Sequence, residues 1–445
     1  MYSEIKTVSY PNGEIQRVQL VRPESWSQLN FLQLAYCEGA LDCFAKIYEQ
    51  YLVPACPWLF GNLVMFYLPG DVETEGLHAT KKYGLVADRL TAAAAALEEG
   101  VKIVGGKPVF RNDRAKDLWQ TLENRNCVRL IRGKLPVTTI IPVGDAPGFL
   151  SQTEQNAALK VNSSFFIMDR FDCATAYDHI GTHLGLCVKN GVVENPPLFG
   201  REALLVKKDG SVTVMPLQLL DLQLEIAGQT YTVGKNAVLF SRPRRAQTPR
   251  GKGKELVIVG RYVAAVRDCG GPIPASGFVL RPRGEWRATP GDLVIYRGME
   301  EVMFGIQVGN SIVIDGQKTT SFRSRFYNIR HLERVPFPPS LYPMDFKNAR
   351  AARIALGADA DGKPMLLWAE GAGKLRYTPG TDSCGASLSE MAEICTALGM
   401  VNAVNLDGGG SAQMLLGGKR SLLISDRNGD NTEAERPVPV ALMIE

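Results

Sequence analysis

The chain has 445 residues, 45% of them hydrophobic and 22% charged, which is apolar material enough for a large core and length enough for about two or three domains. That composition excludes disorder and collagen-like architecture. Fifty lysines and arginines against 46 acids leave a net charge of +4, too dilute to hold the protein on a nucleic-acid backbone, so no nucleic-acid partner is expected.

From Met1 to Tyr10 there is no basic segment followed by an apolar one, so no secretory signal is read and a cytoplasmic location is expected. Leu29, Leu32 and Tyr36, then Phe44, Tyr48 and Tyr51, recur at three- and four-residue intervals and predict helix. The pattern continues through Leu90 to Leu97 as far as Gly100, and a short helix with Leu118, Trp119 and Leu122 follows the cap residues Asn112 and Asp113. Tyr51 to Leu68 has a single strongly polar side chain, Asn62, but Pro54, Pro57 and Gly61 interrupt it and its flanks lack basic clusters. A buried or partner-facing segment is therefore expected there, with membrane contact through 51–68 the lesser alternative.

From about residue 127 the texture changes to short β-branched runs: Val137 to Ile141, Ala203 to Val206, Val212 to Met215, Glu255 to Val259, Leu293 to Tyr296 and Ser311 to Ile314. Asn190-Gly191, Asp209-Gly210 and Asp315-Gly316 punctuate them as hairpin signals, predicting antiparallel sheet. Ser241 to Lys254 is a basic loop carrying six lysines and arginines and no acid, read first as a solvated hairpin loop and second as an anion-reading one. The overall expectation is an α+β protein with a mainly helical region over 1–126 and a sheet-rich domain over 127–445.

The carboxy-terminal unit carries the clearest local signals. Ser387-Leu-Ser-Glu390 is a capping box opening a helix with Leu388, Met391, Ile394, Cys395 and Leu398 on one face, stopped by Gly399. Val401 to Leu406 reads as a buried strand, Asp407-Gly408-Gly409-Gly410-Ser411 as a loop, and Met414 to Leu416 as another strand. Three glycines after a buried strand suit a phosphate cradle, but neither the dinucleotide nor the P-loop fingerprint fits, and the hydrolase elbow lacks its second glycine. An Asp-Gly hairpin turn is the equal alternative. His179 and His183, four apart, have Gly181 between them and no glutamate after the first, so they are read as sheet or loop histidines and no metal is expected. The nine cysteines include no pair separated by two residues and are read as reduced, mostly buried thiols.

Ala403-Val-Asn-Leu-Asp-Gly-Gly-Gly-Ser411 resembles the signature of the phosphodiester glycosidase family. Four further segments agree in order: Ala157 to Phe166, Ala352-Arg-Ile-Ala-Leu-Gly357, Ser383 to Leu388, and Glu435-Arg-Pro-Val438. Together they cover about residues 130 to 445. Glu370-Gly371 stands where the family usually has aspartate-glycine, and Ser163-Ser164 where it has small glycines.

The resemblance implies hydrolysis of a glycosyl-1-phosphodiester, with an α-N-acetylglucosaminyl group as one candidate sugar, a small-molecule or glycan phosphodiester substrate and no cofactor. It implies a site in which Arg353, the amides of Gly408, Gly409 and Gly410 and the Ser411 hydroxyl hold phosphate. Asp407 is the catalytic carboxylate, Glu370 or Glu435 a second one, and Asn162 orients a sugar hydroxyl. Arg436 is expected to orient a carboxylate. The competing expectation, from another class, is a non-catalytic protein that binds phosphosugars or cell-envelope glycans.

Overall fold

In the computed structural model the described residues are 1–34, 101–117 except 105–106, 148–167 except 154–155, 183–320 except 199, 218–221, 243–244 and 246, then 322 and 350–445 except 373–376, 428–429 and 431. The centre is a seven-stranded antiparallel sheet in the order Tyr2–Ser9, Ile15–Arg22, Pro364–Ala369, Arg353–Ala358, Asn402–Asn405, Ser311–Ile314, Gln317–Lys318. Side chains alternate along its strands. Ile354, Leu356, Leu366 and Trp368 face the largest apolar core, while Ala355 and Leu367 face the helix Leu388–Ala397.

That helix starts where its sequence says it should. The Ser387 hydroxyl accepts from the Glu390 amide (3.2 Å) and the Glu390 carboxylate from the Ser387 amide (2.8 Å), so both free donors are satisfied. The hairpin signals also behave as turn chemistry requires. Asn190-Gly191 and Asp315-Gly316 both lie at positive φ, as the two central positions of a tight hairpin demand, and Ala227-Gly228 does the same without an obvious sequence cue.

A second sheet, ordered Met414–Leu416, Leu159–Asn162, Val440–Ile444, Asn30–Gln33, packs into the same core. Five-, three- and four-stranded antiparallel sheets lie between residues 187 and 306, with a separate apolar core through Leu224, Ile258, Phe278 and Tyr296. Two short pairs, Val101–Val104 with Lys107–Phe110 and Phe165–Phe166 with His183–Leu184, complete the described strands.

The α+β class and the mainly helical amino-terminal region are not what the chain builds. Among the described residues strands dominate, and residues 1–34 are two sheet strands, a 3-10 turn at Trp26–Gln28 and a third strand at Asn30–Gln33. The strand Ile15–Arg22 pairs with Pro364–Ala369, and Asn30–Gln33 with Val440–Ile444, so these residues belong to the same two sheets as the carboxy terminus. Leu29 and Leu32 do face one core, but through a 3-10 turn running into a strand, whose first inward positions also fall three apart. The rest of the helical pattern from Tyr36 to Leu97, the segment 51–68, Leu118 to Leu122 and Val137 to Ile141 lie outside the described residues. Among the described residues no helix is long and apolar enough to cross a membrane.

Candidate active site

The strand Asn402–Asn405 ends beside Arg353–Ala358, and the chain then follows that neighbour's first residues outward: the Leu406 amide donates to Ile354 O (2.8 Å) and the Gly409 amide to Ala352 O (2.8 Å). Asp407 therefore sits where the two main sheets meet. Its amide donates to Ser163 O (2.9 Å), and its carbonyl accepts from Asn162 Nδ2 (2.8 Å). Asn162 Oδ1 in turn accepts the Gln413 amide (2.9 Å), so this one buried side chain fixes both ends of the glycine loop. The structure thus gives Asn162 backbone partners on both sides of its amide.

Burial pushes the Asp407 carboxyl up to about 7, against the opposing pull of the Ser411 hydroxyl, the Arg436 charge and the Gly408 amide. A carboxyl near neutrality exchanges protons readily at physiological pH, which is what general acid–base work requires. The Ser411 hydroxyl is buried without a well-formed hydrogen bond, as are Gln413 Oε1, Asn405 Oδ1 and Ser425 Oγ. Buried polar atoms of this kind in one region suit a polar ligand or ordered water.

The three glycines have three different reasons. Gly408 is extended, and a Cβ there would come within 2.8 Å of Ala352 O. Gly409 has φ +61 and faces open space. A Cβ on Gly410 would land on the Asp426 carboxylate and the Arg436 guanidinium. Of the loop amides, Gly409's is committed to Ala352 and Gly408's acts on Asp407.

Arg353 is buried beside Gly408, and its Nε donates to Ala386 O (3.0 Å), holding the head group between the glycine loop and the helix lead-in. Arg436 pairs with Asp426 through Nε (2.9 Å) and a terminal nitrogen (2.7 Å), both residues being buried. Asp426 was not among the expected site residues. Its stretch, Asp426 to Asp430, reads as a polar loop, and the one signal that could have found it is the apolar run Leu422-Leu423-Ile424 leading directly into it.

The two other carboxylates are engaged elsewhere. Glu370 accepts from Arg17 Nε (2.7 Å), Ser383 Oγ (2.5 Å) and the Leu423 amide (2.7 Å), joining the amino-terminal hairpin to two loops around the site. Arg17 has no motif that announces this contact. Glu435 accepts from the Ser151 amide (2.9 Å) and pairs with Arg420. His183 is buried in a strand against Phe166, and burial lowers its imidazole to about 4; His179 lies outside the described residues. Among the described residues no group of three His, Cys, Asp or Glu side chains is arranged to hold a metal ion, and Cys187, Cys269, Cys384 and Cys395 are free thiols.

The loop, Arg353, Glu370 and Arg436 all fall within one stretch matched by the model of a known family. Residues 255–445 match the phosphodiester glycosidase family. The N-acetylglucosamine-1-phosphodiester alpha-N-acetylglucosaminidases of Mus musculus and Homo sapiens are each 41% identical to this chain over 86 residues, 19% of this chain and 15% of those proteins. The match thus spans under one sixth of the length of these curated relatives. Among solved structures, a hypothetical protein from Synechocystis aligns with 99% of this chain and 61% of its own, at 16% identity and a TM-score of 0.42.

Proposed function

We propose that the protein hydrolyses a glycosyl-1-phosphodiester, cutting the bond between the anomeric carbon and a phosphate oxygen. The observation that carries this reading is Asp407: a carboxyl near pH 7, on a glycine loop flanked by two buried arginines, inside the segment that matches the family. As the bond breaks, positive charge grows on the sugar ring and negative charge on the departing phosphate. Phosphate leaves well without a strong acid, so preorganised cations matter more than protonation. Arg353 and Arg436 are the cations for that charge, with planar donor forks suited to phosphate oxygens. Water adds to the anomeric carbon, its proton passes to ionised Asp407, and the C1–O electron pair leaves with the phosphate. Asn162 and Asp426 act one step back, the first holding the backbone of Asp407 and the second holding Arg436.

N-acetylglucosamine, the sugar in the relatives' names, is the first to test. Purified protein is incubated with a panel of glycosyl phosphodiesters, including an α-N-acetylglucosaminyl-1-phosphodiester and nucleotide sugars, and free sugar is followed by mass spectrometry. Release from at least one member, lost in Asp407→Asn, is expected; no release from any member overturns the reading.

A further inference from the structure

The charge of this chain is unevenly placed. Residues 242–287 hold eleven lysines and arginines and three acids, a net of +8 where the whole chain has +4, so the remaining residues sum to −4. This segment builds most of a four-stranded sheet, ordered Ala237–Ser241, Gly277–Pro282, Lys254–Val259, Tyr262–Asp268. One face of it packs on the core through Leu256, Ile258, Phe278 and Leu280. On the opposite side the basic loop folds back over the strands.

That loop is fastened down. Glu255, fully buried, accepts from Thr248 Oγ1 (2.8 Å), Arg267 Nε (3.1 Å) and an Arg281 terminal nitrogen (2.9 Å). The Thr248 amide donates to Gly271 O (2.9 Å), Arg281 donates to Pro249 O (2.8 Å), and Arg242 Nε to Ile273 O (2.9 Å). One buried carboxylate and three arginines thus fasten the described part of the loop to the sheet. It joins strands that Gly277–Pro282 separates, so it is not a hairpin, while Arg245, Gln247 and Arg250 to Lys254 are exposed to solvent as expected. Arg245, Arg250 and Lys252 stand exposed on this anchored loop, and no acid pairs with any of them among the described residues. Arg283 and Arg287 are also exposed in the same segment.

A single phosphate needs one or two cations, which the Asp407 site already has. A loop anchored at Arg242, Thr248 and Pro249 and carrying several cations that no acid among the described residues pairs instead matches an anion whose charges repeat along a chain, because prior anchoring lowers the ordering cost of binding. Residues 242–261 contain no aromatic side chain, so the loop itself offers no ring on which a nucleic-acid base could stack; the exposed Tyr262 lies beyond it, at the start of the strand Tyr262–Asp268. We propose that this basic sheet unit docks the polyanionic chain of a phosphodiester-linked glycan. The choice of a glycan rests on the proposed hydrolysis, while the docking of a repeating anion rests on the charge and the anchoring alone.

The test compares the parent with Arg245→Glu/Arg250→Glu/Lys252→Glu, both carrying Asp407→Asn so that binding is read without turnover. A labelled poly(N-acetylglucosaminyl 1-phosphate) oligomer is titrated over a range of salt. The triple variant is expected to bind at least tenfold more weakly and to lose about two from the slope of log affinity against log salt. With Asp407 intact, the same three changes should leave turnover of a methyl glycosyl phosphodiester unchanged. Unaltered oligomer binding, or tighter parent binding to a single-stranded oligonucleotide of equal charge, overturns the proposal, as does an equal loss on the methyl substrate. Oligomer binding that depends on these cations while no phosphodiester is hydrolysed keeps the docking site and removes the hydrolysis. The neutral set Arg245→Gln/Arg250→Gln/Lys252→Gln, checked by thermal melting, repeats the comparison without introducing acids.

Discussion

Asparagine at position 407 should stabilise the fold while abolishing the reaction, and it should do so only above acidic pH. The carboxyl titrates near 7 in the folded protein because burial disfavours the charge, against an ordinary value of 3.8. Between those values the folded state holds a proton that the unfolded state has lost, so stability falls as pH rises through this window and levels off above 7. A gap of that size corresponds to at most about 4 kcal/mol, and the partial exposure of the side chain reduces it to about 1–3 kcal/mol. Asparagine has nearly the shape of the neutral acid and never ionises, so it avoids this cost. Urea unfolding of Asp407→Asn and the parent, at about pH 4 and again at about pH 8, should therefore give similar stabilities at the lower pH and a more stable variant at the higher. A difference that does not change with pH, or a variant less stable than the parent at pH 8, would refute the assignment of a buried, strained ionisation to Asp407.

Glu370→Gln leaves Arg17 without its acid and weakens contacts to Ser383 and Leu423, so urea unfolding should show a loss of about 2–3 kcal/mol; an unchanged midpoint would contradict the joining role given to this carboxylate. The glycine loop should respond position by position in thermal melts. Gly409→Ala costs about 1 kcal/mol through its positive φ, whereas Gly410→Ala, which meets the Asp426–Arg436 pair, costs more; equal melts for the two would contradict the packing described. Arg436→Met removes a charge that lowers the Asp407 carboxyl, so the limb of the pH–rate profile set by Asp407 should move to higher pH, and an unmoved limb would remove Arg436 from its neighbourhood.

The carboxy-terminal helix, its capping box and the Asp-Gly and Asn-Gly hairpins were legible because each depends on residues within a few positions of one another. The amino-terminal strands were not. Tyr2–Ser9 pairs with its neighbour Ile15–Arg22, but Ile15–Arg22 and Asn30–Gln33 join sheet partners some 350 and 410 residues away, and Leu29 and Leu32 show a spacing that a helix and a turn-then-strand share. In the candidate site, Asp407 and the glycines stand in one local signature and Arg353 in a separate segment, Ala352 to Gly357, which the fold brings beside Gly408. Asp426 had only the apolar run before it as a signal, because its burial comes from packing over Gly410, and Arg17 had none, because its role exists only once the hairpin joins the central sheet. The basic loop was visible as charge, but its fastening through Glu255 was not, since the carboxylate's three partners come from separate strands and turns.

The most direct test of the proposed hydrolysis is turnover of an α-N-acetylglucosaminyl-1-phosphodiester in water enriched in oxygen-18, with mass spectrometry of both products. Attack at the anomeric carbon predicts label in the sugar hydroxyl, none in the phosphate, and no product from Asp407→Asn. Label in the phosphate would mean that the phosphorus–oxygen bond breaks instead, and would contradict the roles given to Asp407, Arg353 and Arg436.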